Sequence, residues 1–272
     1  MAQNGLVPVT AARHGHQYWK RFTTYRFAIN RTDCAIVLQE VPQTAGAFPI
    51  VFRETGEGVE PTAILSLAAD MPTPFVSPKG QWLAAYVPSD LRCHPFQAQP
   101  IGQNTPDKSA LFHLNVDETS GLLSTNPRDE SFFDGAGNLS PALRDVQRFL
   151  QTRVAARETT LELCQKIKTM GLFEPADSHD GIALPSGTLG ISALRLKKLS
   201  KAEKLDLVDS GAFLLIHAHQ ISLCHVAWLS RAQNQQAEQI SQRKYTENSD
   251  ISGFLSAMAN AQNDDFLGTS GV

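Results

Sequence analysis

Cysteine is scarce in this chain: Cys34, Cys93, Cys164 and Cys224 are the only four in 272 residues, and no two form a C-x-x-C pair. A chain of this length buries enough apolar surface to fold without covalent staples, so reduced and mostly buried thiols are expected. Long apolar runs are missing as well. No stretch reaches the roughly eighteen residues needed to cross a bilayer, and the opening "MAQNGLVPVTAARHGHQYWKRF" lacks the apolar stretch of a secretory signal. No transmembrane segment is expected, and the location expected is the cytoplasm. A basic excess is also absent, since the formal net charge is -3 and the pI about 6.2. Nucleic-acid binding draws most of its affinity from clustered Lys and Arg, so it is not expected. The one dense basic stretch, "RLKKLSKAEK" at 195–204, has Glu203, Asp206 and Asp209 beside it and reads as a solvated helix face.

Familiar chemical signatures are missing too. "GEG" at 56–58 and "GAG" at 135–137 lack the G-x-G-x-x-G order, and no Walker lysine follows a glycine loop. There is no G-x-S-x-G elbow. Cys93 and His94 are adjacent, and neighbours on a strand point to opposite faces, so they fail as a nucleophile and base pair. Nothing implies a cofactor. No internal repeat is visible.

What is present divides into two styles. From 25 to about 116 the chain offers short apolar runs cut by Pro and Gly: "AIVLQEV", "AFPIVFR", "TAILSL", "WLAAYV" and "LFHLNV". Runs of this length and composition read as antiparallel strands, with Pro49 suggesting an edge or a bulge. "DGAGN" at 134–138 reads as the turn that closes the β-rich part. After it, Ser140 sits as an N-cap and Pro141 at the first helical position. Leu143, Val146, Leu150 and Val154 then form one apolar stripe. Gly171 and Pro175 stop this helix, which is long enough to bend or to divide near Arg157. "TLGISALRLKKL" reads as one more strand, and Ser200 with Glu203 has the spacing of a capping box ahead of a short helix stopped by Gly211. Residues 231–272 are a polar linker or exposed helix, followed by a short amphipathic C-terminal helix carrying Ile251, Phe254, Leu255 and Met258.

"LLIHAHQISLCHVAWL" at 214–229 concentrates histidine: three of the chain's eight. In a helix, His217, Cys224 and His225 share a face and would be weak candidates for zinc; in a strand, His217 and His219 would point the same way. The gap from 217 to 224 spans about 10 Å at 1.5 Å per residue, too far for direct co-ligation. No metal is therefore expected, and buried histidines satisfied by backbone hydrogen bonds are the plainer reading.

Taken in order, "FAINRTDCAIVLQEVPQTAGAFPIVF", "WLAAYVPSDLRCHPF", "HLNVDE", "SFFDGAGN", "RFLQTRVAARETTLELCQKIKTMGLFEP" and "GAFLLIHAHQISLCHVAWL" resemble the bacterial SapC family. The match is carried by Tyr86, Pro88, Arg92, Pro95, Phe96, Asp117, Glu118, Phe133, Asp134, Gly137, His219, Ser222 and Leu223. It spans about positions 6 to 230. One departure is "ISALRL", where the family commonly has V-D-E-x-x-L. The resemblance implies an association with surface-layer proteins and proximity to genes for flavin-dependent halogenase-like enzymes, without an established reaction. The peptide-transporter permease that shares the name is excluded by the missing membrane spans.

The expectation is an α+β protein with a SapC-like domain at 1–230, β-rich over 25–135 and helix-rich over 138–230. Its function reads as non-catalytic, binding another protein or a cell-surface component, with homo-oligomerisation open. The alternative is an enzyme or enzyme partner acting with a halogenase-like flavoprotein, with Tyr86, Arg92, Asp117, Glu118, Asp134 and His219 converging in one pocket. Ion pairing of Arg92 with Asp117 or Glu118 would be merely structural. The end "NDDFLGTSGV" faintly resembles the ends of proteins exported without an N-terminal signal, the alternative to a cytoplasmic location.

Overall fold

A computed structural model describes residues 5–100 and 112–242. In chain order the strands are β1 (Leu6–Pro8), β2 (Tyr18–Trp19), β3 (Asp33–Ala35), β4 (Ile50–Thr55), β5 (Gly58–Ile64), β6 (Phe96–Pro100), β7 (Phe112–Asp117), β8 (Leu123–Ser124), β9 (Glu130–Ser131), β10 (Phe173–Pro175), β11 (Ser178–His179), β12 (Ile182–Ala183) and β13 (Thr188–Ile191). The helices are α1 (Ala11–His14), α2 (Val41–Ala45), α3 (Ser89–Arg92), α4 (Pro141–Thr169), α5 (Ala193–Lys198), α6 (Lys201–Asp209), α7 (Ala212–Ser222) and α8 (His225–Gln242). The class is α+β, with antiparallel sheets mainly in the first half and helices mainly in the second.

Two apolar cores organise these elements. The larger lies on a five-stranded antiparallel sheet ordered β10-β13-β4-β5-β3 and includes Phe48, Ile50, Val51, Phe52, Ile64 and Leu65. Ile50, Val51 and Phe52 are consecutive and all buried, as a strand covered on both faces requires. The smaller core gathers Trp19, Phe96, Phe132, Leu143 and Leu150 beside the β1-β7-β6 sheet. Helix α4 joins the two. Leu143 and Leu150 enter the smaller core, while Leu163, Cys164 and Ile167 enter the larger. Its capping is as read from the sequence: the Ser140 hydroxyl accepts the Leu143 amide at 3.2 Å, Pro141 opens the helix, and Gly171 follows it at φ +64°.

Several expectations are corrected. β10 and β13, from the helix-rich half, complete the main sheet of the β-rich half. That sheet makes β4 a central strand, so Pro49 marks neither an edge nor a bulge; it precedes the strand, and its carbonyl accepts the Ile64 amide at 2.9 Å. Of "AIVLQEV" only Ala35 is strand, and Leu38–Glu40 is a 3-10 turn. "WLAAYV" forms no strand beyond an isolated bridge from Trp82 to Val76. "TLGISALRLKKL" is strand only to Ile191 and then turns into α5. Helix α4 runs unbroken through Arg157, which is held by Glu57 and Glu60 of the β4–β5 hairpin. The capping box of α6 is present, with Ser200 Oγ accepting from Glu203 N at 3.2 Å and Ser200 N donating to Glu203 Oε2 at 2.7 Å. Residues 231–242 continue α8, mostly exposed but with Gln233 buried, accepting from Leu67 N at 2.8 Å and donating to Ser66 Oγ at 2.7 Å, and the amphipathic stretch at 251–258 lies outside the described residues.

Candidate functional site

The segment "YVPSDLRCHPF" crosses the seam between the two cores. Pro88 precedes α3, whose short turn presents Ser89 inward and Arg92 outward. Facing it is the 3-10 turn at Leu38–Glu40, which buries the Glu40 side chain at 4% exposure. A buried carboxylate needs donors. Glu40 Oε1 accepts from Val37 N at 3.0 Å and from the Ser89 hydroxyl at 2.7 Å, while Oε2 accepts from Ser89 N at 2.7 Å and from the Tyr86 hydroxyl at 2.8 Å. All four donors are uncharged, so this anion is held by dipoles.

Cations bound the network. Arg153, from the middle of α4, donates through Nε to Ser89 Oγ at 3.0 Å and lies 3.0 Å from Asp90, which also pairs with Arg31 at 2.7 Å. Arg92 donates to the Tyr86 hydroxyl at 3.1 Å. The Tyr86 phenol therefore relays between Arg92 and Glu40. Burial, followed by the bond to Glu40, pushes its pKa up to about 12, so it remains a donor. The Arg92 guanidinium carbon lies 5.6 Å from the Tyr86 ring centre and 5.4 Å from that of Phe149, within cation–π range.

Around this network the surface opens into two adjoining clefts. One, of about 750 Å³, lies between α4 and the Glu40 turn; the other, of about 370 Å³, runs toward Trp19 and Phe96. Both are lined by Arg92 and Phe149, which stand where the two clefts meet; the pair is called the trough below. Its α4 wall runs from Ala142 to Thr159.

The six residues expected in one pocket do not converge. Tyr86 and Arg92 line the trough; the other four lie elsewhere. Asp117 caps a turn, accepting from the Thr119 amide at 2.9 Å and hydroxyl at 2.6 Å. Glu118 is clamped by both ends of the Arg13 guanidinium at 2.6 Å, and that bond holds its carboxyl below the usual range. The pairing of Arg92 with Asp117 or Glu118, which would have made Arg92 merely structural, is not formed among the described residues. Asp134 closes the "DGAGN" turn by accepting from Asn138 N at 2.9 Å and Ala136 N at 3.0 Å.

His219 has a structural job. The ladder between β13 and β4 pairs Thr188 with Arg53 and Leu189 with Phe52. Beyond that pair, the imidazole bridges the two strands: Nε2 lies 3.3 Å from the Ile191 amide and Nδ1 lies 2.7 Å from the Ile50 carbonyl. An amide can only donate, so Nε2 is bare and Nδ1 carries the hydrogen. Gly190 lies beside the ring: a Cβ there would stand 3.5 Å from Nε2, at van der Waals contact, and 3.3 Å from the Ala176 methyl. One turn on, Ser222 Oγ accepts the Ile50 amide at 2.9 Å. His219 and Ser222 thus hold both polar groups of one strand residue. Burial lowers the His219 pKa and keeps the ring neutral.

The metal candidates separate similarly. His217 packs on Phe213, His225 lies 3.0 Å from the Ala45 carbonyl, and Cys224 is exposed. Among the described residues no three His, Cys, Asp or Glu side chains group as metal ligands would. Of the adjacent Cys93 and His94, Cys93 Sγ is directed at the Ser89 carbonyl and the His94 ring is stacked on Phe27 at 3.9 Å. No single helix among the described residues is long and apolar enough to cross a membrane.

The family model of SapC matches residues 9–229, most of the chain. The chain belongs to the SapC family. No curated protein and no solved structure matches it. Within this SapC chain the landmark residues sort by position: Tyr86 and Arg92 build the trough, while Asp117, Asp134, His219 and Ser222 fix turns and strand ends. Glu40, Ser89, Phe149 and Arg153 were missed in the sequence. The signals available were a lone carboxylate inside an apolar run and an arginine next to Val154 of the apolar stripe of α4.

Proposed function

We propose that this SapC chain is a non-catalytic binding protein that holds a segment of a partner protein, one at the cell surface or in an accessory complex, in the seam trough. The observation that carries the reading is the saturation of the Glu40, Ser89 and Tyr86 cluster on the trough's floor. Glu40 has four donors, and the Ser89 hydroxyl both donates to Glu40 and accepts from Arg153. Burial and the bond to Glu40 push the Tyr86 phenol up to about 12, so it stays protonated. A general base or nucleophile needs a free lone pair within reach of substrate. Among the described residues lining the trough, these groups are instead engaged in shaping it. The separation of Asp117, Glu118, Asp134 and His219 takes away the convergence on which an enzyme reading would rest.

The test is site-specific photocrosslinking in the producing cell. A benzophenone side chain replaces Thr152 or Gln43, on the α4 and α2 sides of the trough, and Asn138, which lines neither cleft, serves as control. The same protein adduct from both trough positions, with none from Asn138, is the expected result. Adducts of equal yield at all positions, or from Asn138 alone, would remove the proposal.

A further inference from the structure

Charged side chains in the trough are nearly all spoken for. Arg21 pairs with Glu130 at 3.2 Å, Asp145 with Arg148 at 3.0 Å, and Arg153 with Asp90 at 3.0 Å. Glu40 is held by its four donors. Arg92 is the exception. Among the described residues its one hydrogen bond goes to the Tyr86 hydroxyl at 3.1 Å, and no carboxylate pairs with it. It is exposed, lies over two aromatic rings that fix its plane, and stands where the two clefts meet. A guanidinium held on ring faces, with its remaining N–H donors open, presents the fork that recognises a carboxylate.

The shape of the trough narrows the ligand. Its α4 wall, from Ala142 to Thr159, rises about 25 Å at 1.5 Å per residue. An extended chain covers that length with about seven or eight residues at roughly 3.3 Å each. On either side of Arg92 the lining includes apolar or small side chains, among them Val37, Ala155 and Ala156 on one side and Val146 and Phe96 on the other. Resting on the binding function proposed above, we propose that the trough takes an extended peptide of a partner protein with an Asp or Glu near its middle, bound by Arg92, and apolar residues on both flanks. Length and charge complementarity argue for this occupant over a small anion, which would leave most of the trough open.

The experiment is selection of a random octapeptide phage library on the full chain, followed by fluorescence anisotropy of the enriched peptides with wild type, Arg92→Gln and Arg92→Lys. Arg92 is exposed, so neither variant threatens the fold, and unchanged urea midpoints verify this. The expected result is enrichment of one acidic position flanked by apolar ones, with Kd raised roughly tenfold or more in Arg92→Gln and only partly restored in Arg92→Lys. Peptides enriched without an acidic residue, or bound equally by Arg92→Gln, overturn the role of Arg92 while leaving a peptide-binding trough. No enrichment overturns the peptide ligand, whatever the crosslinking shows. Concentration-dependent dimerisation lost in Arg92→Gln, with no peptide enriched, also overturns it, by making a second copy of this chain the occupant.

Discussion

Glu40→Gln changes one atom at the centre of the network and tests the account of it. The carboxylate meets four donors, two of them backbone amides, from Val37 at 3.0 Å and Ser89 at 2.7 Å. Glutamine replaces one acceptor oxygen by an NH2 group. If the nitrogen faces Ser89 N, two N–H groups oppose each other and the Ser89 amide loses its partner. If it faces the other way, the Val37 amide is orphaned, and the Ser89 hydroxyl, already accepting from Arg153, is pressed to accept again. An orphaned buried donor costs about 1–3 kcal/mol, and exchanging charged for neutral hydrogen bonds about 1 kcal/mol more. Against this stands the relief of desolvating a carboxylate that has no cation in contact. We expect the donors to win, because four of them fill the acceptor sites, and predict a net loss of about 2–3 kcal/mol in urea unfolding. Glu40→Gln should also loosen Tyr86, visible as a lowered phenol pKa in ultraviolet titration, since part of its rise comes from Glu40. A variant as stable as wild type, or more stable, would refute the claim that dipoles hold this anion.

Further tests address other parts of the molecule. His219→Ala leaves the Ile191 amide and the Ile50 carbonyl unpaired, so a loss of about 3 kcal/mol, or roughly 6–10 °C in Tm by calorimetry, is expected; a shift under about 2 °C would contradict the bridging role. Burial lowers the pKa values of His14, His94 and His219. The unfolded chain then binds protons at about pH 6.5 before the folded chain does. Stability is full above that pH and falls as the pH drops below it, and His219→Asn should flatten this acid limb in urea midpoints measured at pH 7.5 and 5.5. Of the thiols, Cys224 alone is exposed, while burial pushes Cys93 and Cys164 up to about 12 and raises Cys34 as well. A disulfide reagent at pH 8 should modify one thiol per native chain; a second fast thiol would contradict the burial of the other three.

Local signals were read well and distant ones poorly. Ser140, Pro141 and Gly171, the Ser200–Glu203 box and the "DGAGN" turn act within a few residues of themselves, so short-range steric and hydrogen-bond rules suffice. β10 and β13 were harder, because their place in the main sheet is decided by β4, more than a hundred residues earlier. The trough was half legible. Tyr86 and Arg92 lie in a recognisable motif, but Glu40 sits in an apolar run that reads as a strand, and its donors come from across the fold. Asp117, Glu118, Asp134 and His219 show the converse error. They are polar and distinctive in the sequence, yet each satisfies a nearby backbone or ion-pair need.

Partner binding in the trough along α4, as proposed, is tested most directly by filling it. Ala155 is exposed on its wall, so Ala155→Trp fills the space without entering either core. The decisive measurement is the affinity of the partner crosslinked from Thr152 for wild type and for Ala155→Trp. The account predicts that binding is lost in the variant while its urea midpoint stays unchanged. Equal affinity for the two proteins would contradict it.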